Sequence, residues 1–159
     1  MPNPNKVKRR EVLFWSIAFP GFGQFLNGHI IKGITLILLE IVVNVMSSFN
    51  EGIRLSFLGE TKMALEAINF QWLMFYPCLY LFAIWDAYRN AAADQLPPYY
   101  FLPFAFGAFA VTVGLMYSPV VYLFGIYPGP VFLPMLALVP GIFIGNAIRS
   151  ILINIEKAD

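Results

Sequence analysis

The sequence predicts an all-α fold integral to a membrane, a helical bundle with four full spans and a short re-entrant or interfacial first helix. Three observations lead there. Apolar residues make up 59% of the 159 residues and charged residues only 12%, against about 45–50% and about 25% in soluble domains. A soluble fold of this size cannot hide so much apolar surface, so the remainder faces lipid. Stretches 30–49, 70–88, 99–117 and 131–148 each hold the run of about 17–25 apolar residues that a helix needs to cross a bilayer. Finally, Pro20, Gly21, Gly23, Gly28 and Gly33 cluster between the first apolar stretch, 12–26, and the second. Proline removes a backbone donor and glycine relaxes helical order, so the chain must break there.

Residues 1–10 form a polar tail that ends in Lys6, Lys8, Arg9 and Arg10. No small-x-small cleavage site follows, so the tail reads as a retained cytoplasmic anchor rather than a signal peptide. Contact with anionic lipid is its functional alternative. Residues 11–159 form a single membrane domain that opens with a helical hairpin over 11–49. Its turn is expected to be tightest at Asn27-Gly28, and it carries His29 and Lys32 between two apolar walls.

Charge decides whether 12–26 crosses. If it crosses, basic residues divide 6 to 4 between the two sides. If it does not, Lys6, Lys8, Arg9, Arg10, Lys32, Arg89, Arg149 and Lys157 share one side, and Arg54 and Lys62 the other, a split of 8 to 2. The positive-inside bias favours the second arrangement, with both termini cytoplasmic. Residues 50–68 carry five charges among apolar residues and read as a solvent-side connector with a short surface helix from about Thr61. Residues 118–130 have no charge, three prolines and two glycines, and predict a rigid apolar loop near the outer interface. Tyrosines and tryptophans gather at the predicted span edges, where amphipathic rings prefer to lie.

Pro20-Gly21-Phe22-Gly23-Gln24-Phe25, then Asn27-Gly28, then Lys32-Gly33 ahead of an apolar helix, with Trp85-Asp86 later, resembles the TM2-domain and related small bacterial membrane proteins. The likeness covers about residues 12–49 and 80–90. The chain departs from that pattern in the charged insertion 50–68 and in two added apolar segments after residue 94. The resemblance implies the hairpin unit and no common catalytic activity. It also implies that Asp86 packs on the hairpin turn and reaches Lys32 or His29.

Among residues able to carry chemistry, Glu40 is the sharpest candidate, because a charge in mid-span is expensive. Asn44 follows one turn later and gives that helix a polar face. Glu40 is either a proton- or cation-binding group or a neutral group hydrogen-bonded to a neighbouring helix. Asp86 and Arg89 are one turn apart and able to pair locally. His29 alone makes a poor metal site, and no serine or cysteine has a visible base partner. Cys78 reads as a small buried hydrophobe. Asn146, Ser150 and Asn154 make a polar stripe on the last helix. Gly107, Ala110 and Gly114 on one span, and Ala137, Gly141 and Gly145 on the next, make small-residue ridges for close helix packing, within the chain or between copies.

No catalytic, cofactor-binding or metal-binding pattern appears, and a net charge of +1 lacks the basic face expected for nucleic acid. The sequence therefore points to a non-catalytic multi-pass protein of the cell membrane. In that reading it is a scaffold or accessory subunit that meets the lipid bilayer and either a membrane-protein partner or its own copies. The alternative is a small transporter or channel subunit with a polar path through Glu40, Asn44 and Asp86.

Overall fold

The computed structural model describes residues 9–91 and 96–158; the tail residues 1–8, with Lys6 and Lys8, lie outside them. Within the described residues the chain is helical, with no strand and only an isolated bridge between Leu123 and Ile126. The order is α1 (Arg9–Ala18), α2 (Phe22–Leu26), α3 (Ile30–Ser47), α4 (Phe49–Phe57), α5 (Thr61–Ala67), α6 (Phe70–Leu73), α7 (Tyr76–Asn90), α8 (Leu102–Tyr117) and α9 (Gly129–Glu156). Helices α3 and α9 are long and apolar enough to cross a membrane. Helix α5 and the stretch Phe70–Asn90 form an apolar pair bent by 88°, and α8 is a shorter apolar helix of 16 residues.

Helices α1 and α2 run along α7 in opposite directions. At the start of α1 the Arg9 guanidinium lies 5.1 Å over the Tyr88 ring, and at its end the Ile17 carbonyl accepts from the Tyr80 hydroxyl. Descending from Tyr88 to Tyr80 covers about 12 Å of helix. After the break at Pro20-Gly21, α2 returns along α7, where Gln24 reaches the Ala83 carbonyl and Asn27 the Ala87 carbonyl. Helix α3 then runs antiparallel to α7, from the Lys32–Asp86 pair down to the Glu40–Tyr76 contact.

The tight points of this hairpin are not at Asn27-Gly28. Gly28 needs a positive φ of +79° but has open space where a side chain would go. The close approaches fall on its neighbours. A Cβ on Gly23 would stand 1.9 Å from the Ser16 hydroxyl and 2.7 Å from the Ala87 methyl, and one on Gly33 would meet the Phe25 ring at 2.5 Å. These glycines let α1, α2, α3 and α7 touch through backbone; the turn at Gly28 only reverses the chain.

Residues 50–68 are more than a connector. Helices α4 and α5 pack on each other and on the start of α9: Leu55, Ser56, Ala64 and Ile68 are buried, and the Phe57 and Phe132 rings meet edge to face at 5.1 Å. The exposed ends of this unit are polar; Arg54 donates to both Glu51 oxygens and holds that carboxyl below its usual pKa. Across the same end of the bundle, Leu123 and Ile126 close a two-residue turn through Phe124 and Gly125, both at positive φ, the geometry of a tight hairpin. Phe124 at its tip is fully exposed.

Helices α8 and α9 make the most extensive contact in the fold, and small residues face one another along it. A Cβ on Gly114 would meet the Ala137 methyl at 2.9 Å, one on Gly141 the Ala110 methyl at 2.6 Å, and one on Gly145 the Leu102 carbonyl at 2.6 Å. Gly107 sits against Leu138. Both ridges are thus occupied within the chain. Pro134 and Pro140 lie inside α9, where each removes one backbone donor from the helix. The stripe of Asn146 and Ser150 is exposed, and both side chains bond back to their own helix. Cys78, expected inside, is exposed on α7, because the inward positions of that helix go to Pro77, Leu81 and Ile84.

Candidate functional site

Where α2 and the start of α3 meet the end of α7, three polar side chains converge on one carboxylate. Lys32 Nζ stands 2.9 Å from Asp86 Oδ1, and Gln24 Nε2 donates to Asp86 Oδ2 at 3.1 Å and to the Ala83 carbonyl at 2.8 Å. Asn90 Nδ2 donates to Asp86 Oδ1 at 3.2 Å and to its backbone carbonyl at 2.7 Å. Alongside, Asn27 Nδ2 donates to the Ala87 carbonyl at 2.8 Å. Every partner of the carboxylate is a donor, as an acceptor-only group requires. The Lys32 side chain is 54% exposed and that of Asp86 only 9%, so the pair spans the edge of the bundle. Gln24 is fully buried, and its Oε1 has no partner among the described residues.

Local backbone explains the convergence. Gly21 at φ +101° turns the chain into α2, and Gly23, lacking a Cβ, lets α2 lie against Ala87, which brings Gln24 to the α7 carbonyls. The expected local pair of Asp86 with Arg89 does not form. The Arg89 guanidinium instead lies 5.3 Å over the Trp85 ring, because both carboxylate oxygens of Asp86 are taken by donors from α2, α3 and Asn90. His29 is exposed at the start of α3 and only its backbone enters the turn, accepting from Gly33 and donating to the Gln24 carbonyl. Among the described residues no three His, Cys, Asp or Glu side chains come together as metal ligands.

Glu40 sits eight residues below Lys32, about 12 Å along α3. It is buried, and its Oε1 lies 3.5 Å from the Tyr76 hydroxyl, the long limit of a hydrogen bond; Oε2 has no partner. The Tyr76 ring stacks on Tyr80 at 5.7 Å and leans on Phe49 at 4.9 Å. Asn44 turns away from Glu40 and donates to Asn50 at 3.2 Å. Glu40, Asn44 and Asp86 therefore have three separate sets of partners.

Beside Tyr76 and Tyr80 lies a cavity of about 690 Å³, lined by residues including Ile17, Ile84, Leu115, Met135 and Leu138. Neither Glu40 nor Asn44 nor Asp86 lines it. The hydroxyls of its two tyrosines are engaged, one at Glu40 and one at the Ile17 carbonyl. Tyr76, Tyr80 and Gln24 were not singled out from sequence. Gln24 had a signal there, as a polar amide inside an apolar wall; the tyrosines blend into a chain that is 17% aromatic.

The chain matches no protein-family model, no curated protein and no solved structure. The likeness to the TM2-domain proteins rests on the motif residues alone.

Proposed function

We propose that the chain is a multi-pass membrane protein that works without catalysis, as a scaffold or accessory subunit for a membrane-protein partner or for its own copies. In this reading α3, α6 with α7, α8 and α9 cross the bilayer, and the α1–α2 hairpin is re-entrant. One observation carries the proposal: Gln24, Lys32 and Asp86 are used in holding α2, α3 and α7 to one another, while the cavity is walled almost wholly by apolar side chains. A second supports the partner. Ile34, Leu38, Val45 and other large apolar residues of α3 are exposed on the outer side of that helix, an apolar face that only lipid or another protein can cover.

The transporter reading keeps one supporting observation. Tyr76 lines the cavity and also touches Glu40, whose second oxygen is unpartnered. Reconstitution of wild type and Glu40→Gln into vesicles separates the two readings. Neither protein is expected to move protons or alkali cations. Flux in wild type that vanishes in the folded glutamine variant overturns the scaffold reading.

Both termini and residues 28–32 are placed on the cytoplasmic side, following the distribution of basic residues. In a Cys78→Ala background, Lys62→Cys is expected to react with an impermeant maleimide from outside intact cells, and Lys157→Cys only after permeabilisation. The reverse pattern overturns the placement.

A further inference from the structure

The cavity beside Tyr76 and Tyr80 is a cleft between two parts of the bundle. Helix α9 packs on α8, α4 and α5 rather than on α1 or α7. Between α9 and the α1–α7 wall a gap is left, with α8 behind it and α4 across its far end. Along α9 the lining runs from Pro130 to Ile142, and along α8 from Pro103 to Leu115. Each interval is about 18 Å of helix.

We infer that this cleft holds one acyl chain of an anionic phospholipid, with the headgroup at the end where α1 begins and α9 leaves the bundle. The inference rests on the membrane reading proposed above. Size agrees, since 690 Å³ falls within the roughly 300–1,000 Å³ of small-molecule sites, and 18 Å is about the extended length of a common fatty-acyl chain. Chemistry agrees as well: the walls present no free polar group, because both tyrosine hydroxyls are occupied.

The two ends of the cleft tell a chain from a helix. At its far end α4 crosses from Tyr76 to Phe132 through the Phe49 and Phe57 rings, and Phe49, Ile53 and Phe57 line the cleft there. A transmembrane helix of a partner would have to stop there with its terminal backbone groups unsatisfied among apolar side chains, which membranes do not tolerate. An alkyl chain ends in a methyl group and can stop against those residues at no polar cost.

The other end carries positive charge. Arg149 lies two helical turns beyond Ile142 on the same face of α9, and its Nε donates to the Pro98 carbonyl at 2.9 Å, leaving its terminal nitrogens for a phosphate. Arg10 is exposed three residues before Leu13, another lining residue. Of the acidic groups near this end, Glu156 accepts from the Tyr99 hydroxyl, Asp86 is paired with Lys32, and Glu11 is exposed beside Arg10. Arg10 and Arg149 are the cations that an anionic headgroup would meet there.

The test uses the full chain in nanodiscs of equal phosphatidylglycerol and phosphatidylcholine, each doped in turn with a phospholipid carrying a diazirine in mid-chain. Phosphatidylglycerol probe is expected to label Ile84, Leu138 and their neighbours in the cleft in preference to Ile34 and Leu38 on the outer face of α3. Arg149→Gln is expected to lower the headgroup preference about fivefold. Ile142→Trp, which fills the cleft from an exposed position, is expected to abolish cleft labelling, while Phe143→Trp, one position along and outside the lining, leaves it intact. Labelling spread evenly over α3 and the cleft in wild type means ordinary boundary lipid and overturns the inference, and so does equal labelling by the two headgroups. Alkaline extraction of native membranes keeps the underlying reading separate. A chain released by carbonate fails as a membrane protein; one retained but unlabelled in the cleft fails only here.

Discussion

Gly23→Val is expected to prevent folding, or to leave a protein that aggregates on extraction. A Cβ at this position stands 1.9 Å from the Ser16 hydroxyl, 2.7 Å from the Ala87 methyl and 3.1 Å from the Val12 carbonyl. Ser16 is itself fixed by donation to the Val12 carbonyl at 2.8 Å, so the neighbours have little room to give. Overpacking by a single methylene costs about 1–3 kcal/mol, and valine adds two methyl groups beyond the Cβ at the meeting of three helices. A loss of at least about 3 kcal/mol follows. Gly28→Val and Gly125→Val meet no neighbour and each suffers only from φ +79°, about 1–2 kcal/mol apiece. Thermal denaturation in detergent and size-exclusion profiles of the three variants give the ranking. A Gly23→Val protein as stable as Gly28→Val shows that α2 does not sit against α7 as described.

Lys32→Met is expected to destabilise the fold more than the simultaneous change Lys32→Met with Asp86→Leu. The single change leaves a carboxylate that is 9% exposed without its cation, and breaking a buried pair from one side costs about 3–5 kcal/mol. The Gln24 and Asn90 amides still donate to Asp86, and the lysine end is half wet, so the lower end of that range applies. Replacing both partners removes the stranded charge, and Gln24 keeps its bond to the Ala83 carbonyl. A double-mutant cycle on the denaturation free energies is expected to give a coupling of about 1–3 kcal/mol. Additivity within about 0.5 kcal/mol would mean that Lys32 and Asp86 act independently and that the hairpin is held by packing alone.

Much of the helical architecture was legible because long apolar stretches and helix breakers act locally. Long apolar stretches mark α3 and α9 directly, and the proline and glycines at 20–33 mark the broken hairpin. The small-residue spacing along α8 and α9 picked out the faces that meet. Less legible was what residues 50–68 do. Their charges suggested solvent, but Leu55, Ala64 and Ile68 are buried, with Ile68 packed beside Leu73 and Leu115. Arg89 was misread for a related reason. Sequence spacing gives the neighbours on one helix, while the donors that take up Asp86 come mainly from α2 and α3.

By itself the sequence determined the class, the places where the chain must break, and the polar residues too costly to sit idle in an apolar bundle, because composition and local backbone preference need no partner to act. Which glycine is indispensable, which carboxylate oxygen meets which donor, and that an apolar cleft runs between α7 and α9 were decided only by tertiary structure. Each depends on a distance between residues far apart in the chain: Gly23 matters because Ala87 lies against it, and Asp86 is held because the hairpin delivers Gln24 and Lys32 to it. Such contacts are set by how helices pack, and no local pattern in the residues records them.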